Sequence, residues 1–402
     1  MTRSQITRLR RAVPCAAVLA LLLALVPVAP AAAGPLSRSL DAALRRGGPA
    51  SGALVVDADT GRTLYSRRAT TGRIPASVEK LWTTTAALRE LGPRARLVTD
   101  VVATGRLDGR GVLHGGLWLR GGGDPTLRAD DIDLLARRLA GAGVRQVTGR
   151  VLGDESRFDF RRGVPSSGYA ASLYVEPLSG LAYQRDLLRG RYVLQPAASA
   201  ASALVDALAR RRVRVGGYGA GRAPARTRVL ASASSPSLAA IIAATNAPSD
   251  NFYAEMLLKN LGAELGGTGS TAAGARVVRA SAASIGLHPR LYDGSGLSRA
   301  DRSSPAQIVA LLRAERAHPS FTSSLAVLGR SGTLVHRLRG TVAAGRCRGK
   351  TGTLTDVSAL VGYCTARSGR RLAFAVLMNR TVVYYAHLGQ DAFVRALFAY
   401  VR

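Results

Sequence analysis

The sequence predicts an α+β protein: an antiparallel sheet built from both ends of the chain, a helical lobe beside it, and an inserted α/β region. Three observations carry this. "SGALVVDADTGRTLYSRRA" holds two short β-patterned runs around an Asp/Gly turn. Residues 235–316 are dominated by helical spacing of apolar residues. The chain then returns to strand texture in "GRCRGKTGTLTDVSALVGYCTA" and "RRLAFAVLMNR", and closes on the helical "QDAFVRALFAYVR". Strands at both ends enclosing helices fit one sheet shared by the two ends.

The elements follow in order. "MTRSQITRLRRAV" is basic, "AAVLALLLALVPVAP" is apolar but short for a membrane span, and "AAAG" at 31–34 supplies small residues for cleavage. We expect a secretory signal peptide over residues 1–33, cut near Ala33, and an exported protein acting in the cell envelope or secreted beyond it. An uncleaved anchor is the alternative. Cys15 precedes the apolar run and is badly placed for lipid attachment. A short helix is expected over Leu36–Arg46. A second, over Ala76–Leu91, has Pro75 at its mouth and Gly92-Pro93 at its end. From about 95 to 230 the texture changes. "ARLVTDVVATG" and "GVLHGGLWLRGGG" read as a strand pair, "ADDIDLLARRLAGAG" as an amphipathic helix and "VTGRVLGD" as a strand. Residues 156–197 carry few signals, and "AASALVDALARRRVRVGG" is helix then strand. Four helices follow, the first two broken by Pro248. The expected division is therefore a main domain over 34–94 and 231–402, interrupted by an inserted domain over 95–230.

Charge narrows the partners. The chain has 56 Lys+Arg against 25 Asp+Glu, a formal charge of +31. Removing residues 1–33 takes four arginines and no acids, which leaves +27. Such a surface attracts polyanions. No basic run is interleaved with aromatics, so nucleic acid is not expected. Anionic cell-wall polymers suit an exported protein better. No His/Cys/Asp/Glu spacing implies a metal, and no cofactor is expected.

Only three of the basic residues are lysines: Lys80, Lys259 and Lys350. Lys80 lies three residues after Ser77 in "RIPASVEKLWTTTAAL", which puts both on one face of the helix mouth. A serine hydroxyl needs a base to become a nucleophile. A lysine with a lowered pKa can serve, whereas arginine stays protonated. Lys350 opens "KTGTLTD" on a strand, and Gly352 within that strand suggests close approach of a backbone or ligand. Between them lies "PSDNFYAE", with Ser249 placed to relay a proton and Asn251 to bind a substrate amide. Lys259, mid-helix, reads as solvated.

S-x-x-K at 77–80, S-D-N at 249–251 and K-T-G at 350–352 form the set found in penicillin-binding proteins and class A β-lactamases. "DGSGLSRADRSSP" (293–305), "SGTLVHRLRG" (331–340), "GKTGTLTDVSALVGY" (349–363) and "RGGGDPTL" (120–127) resemble the class C low-molecular-mass penicillin-binding proteins. These are D-alanyl-D-alanine carboxypeptidase/endopeptidases of the penicillin-binding protein 4 type. The resemblance implies a serine-β-lactamase/transpeptidase-like fold with an insertion, here shortened. It implies peptidoglycan stem peptides as substrate, β-lactam antibiotics as inhibitors, and an acyl-enzyme on Ser77. Lys80 would be the base, with Ser249 and Lys350 assisting proton transfer to the leaving amine. Lys350, Thr351 and Thr353 would hold the terminal carboxylate, and the Ser77 and Thr353 N–H groups would form the oxyanion hole. Asp293, Ser295 and Ser298 would shape the site wall.

The final hairpin makes a separate prediction. If its turn centres on Thr355-Asp356, partner positions sum to 711, as Cys347 and Cys364 do. They would then face each other within disulfide reach.

Rival readings have weaker support. His114, His288, His318, His336 and His387 lack a catalytic context, and no G-x-S-x-G elbow accompanies them. A class A β-lactamase would place S-D-N nearer S-x-x-K and follow it with a catalytic glutamate; "ASAASIGLHPR" holds no acid. A non-catalytic envelope-binding protein of the same fold would not need Ser77, Lys80 and Lys350 intact.

Overall fold

The computed structural model describes residues 34–401; the expected signal peptide lies outside the described residues. No described helix is long and apolar enough to cross a membrane.

A six-stranded antiparallel sheet forms the centre. Its spatial order is Ala326–Val327, Cys347–Leu354, Val357–Thr365, Arg371–Asn379, Ser51–Asp57, Thr63–Arg67. Sequence ends meet where Ser51–Asp57 pairs with Arg371–Asn379. The two-residue side-chain period then sorts the core. Val361, Tyr363, Ala373 and Ala375 face the helical lobe. Leu360, Cys364, Leu372 and Phe374 face the helices Pro35–Arg45 and Val383–Phe398. Covered on both faces, Val357–Thr365 and Arg371–Asn379 are buried almost throughout.

The hairpin register sets the site. Leu354 faces Val357, Lys350 faces Val361, and Cys347 faces Cys364, to which it is disulfide-bonded. Cross-strand partners share a face. Lys350 and Gly352 therefore point with Val361 and Ala359 toward the helical lobe. The short outer strand pairs only with Arg348 and Gly349. Beyond them, from Lys350 to Leu354, the sheet edge is open among the described residues.

The lobe consists of Lys80–Leu91, Leu238–Asn246, Asn251–Leu265, Thr271–Ala283 and Pro305–Glu315. Lys80–Leu91 is buried along its first two turns, as a central helix must be. Ser237, Asp250, Ser270 and Ser304 cap four of these helices by accepting a backbone N–H from the first turn.

Between Val98 and Ser234 the chain builds a mixed five-stranded sheet and a small four-stranded one, covered by Ala129–Gly141 and Pro196–Ala209. The expected partner of the first strand there is only partly right. Val98–Ala103 pairs with Leu117–Arg120, while Val112–His114 turns away to pair with Arg106–Leu107 and Gln146–Val147. Gly115, at φ +159 and 2.3 Å (from an added Cβ) to the Thr104 carbonyl, allows this break. Residues 156–197 are mostly irregular, with Gln184, Arg185 and Asp186 all at positive φ.

Candidate active site

Ser77 sits on a strained turn. Pro75 fixes the entry, and Ala76 adopts φ +48, which an L-residue rarely holds without support. The expected helix begins differently: Ala76–Glu79 is a 3₁₀ turn, and the α-helix starts at Lys80. With three residues per turn, positions i and i+3 stack. Lys80 Nζ accordingly lies 2.9 Å from Ser77 Oγ.

Lys80 is fully buried. Besides Ser77, its Nζ meets Asn251 Oδ1 at 2.6 Å and the Ser295 carbonyl at 2.7 Å. Burial pulls its pKa down to about 8, against the opposing pull of Asp293, Glu255, Asp250 and Glu79. An amine in that range exchanges its proton near neutral pH.

Lys350 is also fully buried, and donates to Ser249 Oγ at 2.7 Å and to the Thr351 carbonyl at 2.9 Å. Burial, then the neighbouring Lys80, hold it well below the usual ammonium range. Ser249 has φ +67 at the break between two helices, which turns its hydroxyl toward the sheet edge. Asn251 opens the next helix; its Nδ2 donates to the Tyr174 carbonyl at 3.0 Å. Hydrogen bonds thus join Ser77 and Asn251 to Lys80, and Ser249 to Lys350, and the charge of Lys80 is felt at Lys350.

Gly352 explains how the strand reaches Ser77. A Cβ there would lie 2.4 Å from the Pro75 carbonyl oxygen and 3.2 Å from the Ser77 nitrogen. Only a residue without a side chain lets the Gly352–Thr353 peptide lie against the Ser77 turn. Thr353 is exposed on the open edge. Thr351 is half-buried, and its hydroxyl donates to Thr333 at 2.8 Å.

Glu255 and Arg185 carry no sequence signature here, whereas the 293–298 loop belongs to a motif the sequence marks. The 293–298 loop supplies a backbone carbonyl, from Ser295, rather than a side chain. Asp293 does not face outward: it accepts from the Gly296 and Ser298 N–H groups, both at 2.7 Å. Glu255 accepts from Gly294 and Ser295 N–H at 3.0 and 2.8 Å. Arg185 joins Glu176 to Asp250, the cap of the Asn251 helix. The helical periodicity around Glu255 marks it only as a face that is buried. Lys259, expected in solvent, is fully buried and pairs with Asp159 at 2.6 Å and the Arg161 carbonyl at 2.7 Å. Its partners come from the region that carried few signals, so the sequence offered no acid to match it.

Comparison with known proteins places the chain in a family. The model described as "D-Ala-D-Ala carboxypeptidase 3 (S13) family" matches residues 36–182 and 183–396. The chain is 32% identical to the D-alanyl-D-alanine carboxypeptidase of Actinomadura sp. (strain R39), over 83% of this chain and 78% of that one. It is also 32% identical to carboxypeptidase DacB of Mycolicibacterium smegmatis, over 88% of this chain and 83% of that one. Among solved structures, penicillin binding protein 4 (dacB) from Haemophilus influenzae superposes with a TM-score of 0.80, covering 90% of this chain and 99% of that one. Their identity is 18%, so this likeness concerns the fold.

Proposed function

The chain belongs to the D-Ala-D-Ala carboxypeptidase 3 (S13) family, and from that premise we propose that it is a serine-type D-alanyl-D-alanine carboxypeptidase working through an acyl-enzyme on Ser77. The observation that carries this is the 2.9 Å contact between the Ser77 hydroxyl and a buried amine of lowered pKa.

The peptide lies along the open edge from Lys350 to Leu354, as an added strand would. Ser77 Oγ attacks the carbonyl carbon of the penultimate D-alanine, and neutral Lys80 takes the hydroxyl proton. The Ser77 and Thr353 N–H groups stabilise the oxyanion. A proton passes by way of Ser249 and Lys350 to the nitrogen of the terminal D-alanine; the C–N bond breaks and D-alanine leaves. Lys350, Thr351 and Thr353 bind its carboxylate. Water then attacks the ester carbonyl and gives a proton to neutral Lys80; the bond to Ser77 Oγ breaks, Lys80 returns that proton to the Ser77 oxygen, and the water oxygen stays with the shortened peptide. A β-lactam enters the first step but keeps its amine tethered, so the acyl-enzyme persists. The action is extracytoplasmic, where the peptidoglycan lies. Residues 95–230 act as an inserted domain limiting access, and the basic surface also suits anionic cell-wall polymers.

A fluorescent penicillin tests the proposal. Covalent labelling of the wild type that is lost in Ser77→Ala is the expected result; an unlabelled, folded wild type would favour a binding protein. Mass spectrometry of muropeptide products separates release of terminal D-alanine from cleavage of cross-links.

A further inference from the structure

Four of the chain's 25 acidic residues are buried together behind Lys80: Glu79, Glu255, Asp293 and Asp301 are each no more than 1% exposed. In a chain this poor in acid, such a cluster asks for a reason. Burial raises the pKa of all four carboxyl groups, and repulsion from neighbouring carboxylates raises those of Glu79, Glu255 and Asp301 further. Among the described residues, both Glu79 oxygens and one Glu255 oxygen have no hydrogen-bond partner, while Asp301 and Asp293 share a side-chain hydrogen bond. Leaving buried polar atoms unpaired is costly, so the cluster is not there for stability.

The hydrogen bonds around Lys80 show what the cluster arranges. The Ser295 carbonyl can only accept. Asn251 is oriented the same way, because its Nδ2 is committed to the Tyr174 carbonyl and its Oδ1 must face Lys80. A neutral amine has two N–H bonds and one lone pair. With the two N–H bonds directed at Asn251 and Ser295, the lone pair is left for the third neighbour, the Ser77 hydroxyl. That is the orientation a general base needs.

The Ser295 carbonyl is held in place from behind. Glu255 Oε1 gathers the Gly294 and Ser295 N–H groups. Asp293 gathers those of Gly296 and Ser298. Gly296, at φ +84, lies directly under the Ser77 turn, where a Cβ would be 2.0 Å from the Ala76 carbonyl.

We propose that Glu255 is a positioning residue for acylation: by accepting from Gly294 and Ser295 it fixes the Ser295 carbonyl on Lys80, and so aims the Lys80 lone pair at Ser77. This rests on Lys80 being the base toward Ser77. Glu255 touches no substrate. The charged and titratable groups facing Lys80 are Glu79 beside it in the chain, Glu255 with Asp250 from the Asn251 helix and its cap, Asp293 from the loop, and Lys350 from the strand.

Two conservative variants separate position from charge. Glu255→Gln keeps the accepting oxygen and loses the charge. Glu255→Asp keeps the charge and withdraws the acceptor by one methylene. Fluorescent-penicillin acylation is followed at saturating and subsaturating concentration from pH 6 to 10, with thermal midpoints recorded for each protein. The expected result is that Gln reaches a high-pH plateau within threefold of wild type. Asp falls at least tenfold in the acylation step, with its initial binding constant within threefold. The reverse pattern, Gln slow and Asp normal, would mean that the charge matters and overturns the proposal. Both variants acylating like wild type also overturns it, whatever their melting points. Undiminished labelling of Lys80→Ala would instead sink the underlying reading of Lys80, a distinct result.

Discussion

Gly352→Ala is the sharpest test of how the site is assembled. The glycine has ordinary strand φ, so alanine introduces no backbone strain there; the cost is purely one of space. The new Cβ would start 2.4 Å from the Pro75 carbonyl oxygen, where real Cβ contacts stay above about 3.0 Å. Strand and turn must part by about 0.6 Å or more. Neither side yields easily. The strand is paired along its whole length with Val357–Thr365 and tied by the disulfide, and the turn continues into the buried helix Lys80–Leu91. Overpacking of this kind costs about 1–3 kcal/mol of stability. Its effect on chemistry is larger, because the separation opens between the Ser77 N–H and the Gly352–Thr353 peptide, where the oxyanion would bind. Misplacement on this scale costs on the order of a hundredfold in rate, or about 2.7 kcal/mol of barrier. The assay is the second-order rate constant of labelling by a fluorescent penicillin, beside a thermal melt. Gly109→Ala is the control, since no atom of the described residues lies within 4 Å of its added Cβ. A folded Gly352→Ala protein that acylates within threefold of wild type would refute the proposed contact.

Three further predictions follow from the same geometry. Lys80→Arg should slow acylation by about 10²–10⁴-fold, because a guanidinium offers no lone pair; labelling near the wild-type rate would exclude Lys80 as base. Acylation should rise with pH through about 8, since the reactive form of Lys80 is the deprotonated amine and its pKa is lowered to about that value. At pH 6 the rate should be about one hundredth of the plateau, and a flat profile from pH 6 to 9 would contradict this. Replacing Cys347 and Cys364 with serine opens a loop of sequence separation 17. This should lower unfolding stability by about 3 kcal/mol, read from urea denaturation; a midpoint indifferent to both the substitution and reductant would show that the bridge contributes nothing.

Residue type and local spacing were enough to single out candidate reactive groups and the strands and helices that carry them. Ser77, Lys80 and Lys350 stand out because lysine is nearly absent and because a short motif fixes residue type at fixed spacing. The hairpin register also lay in the sequence, since one turn position sets every cross-strand pair and makes residues 347 and 364 opposite. Contacts between segments far apart in the chain emerge only on folding. Asn251, 171 residues beyond Lys80, meets it through side chains, and Ser295 meets it through a backbone carbonyl that no residue type announces. Lys259 shows the same limit: helical position alone placed it in solvent, and a partner 100 residues earlier put it in the core. Local spacing encodes the period of helix and strand. The burial that lowers an amine's pKa and the aim of its lone pair depend on what the rest of the chain brings to it.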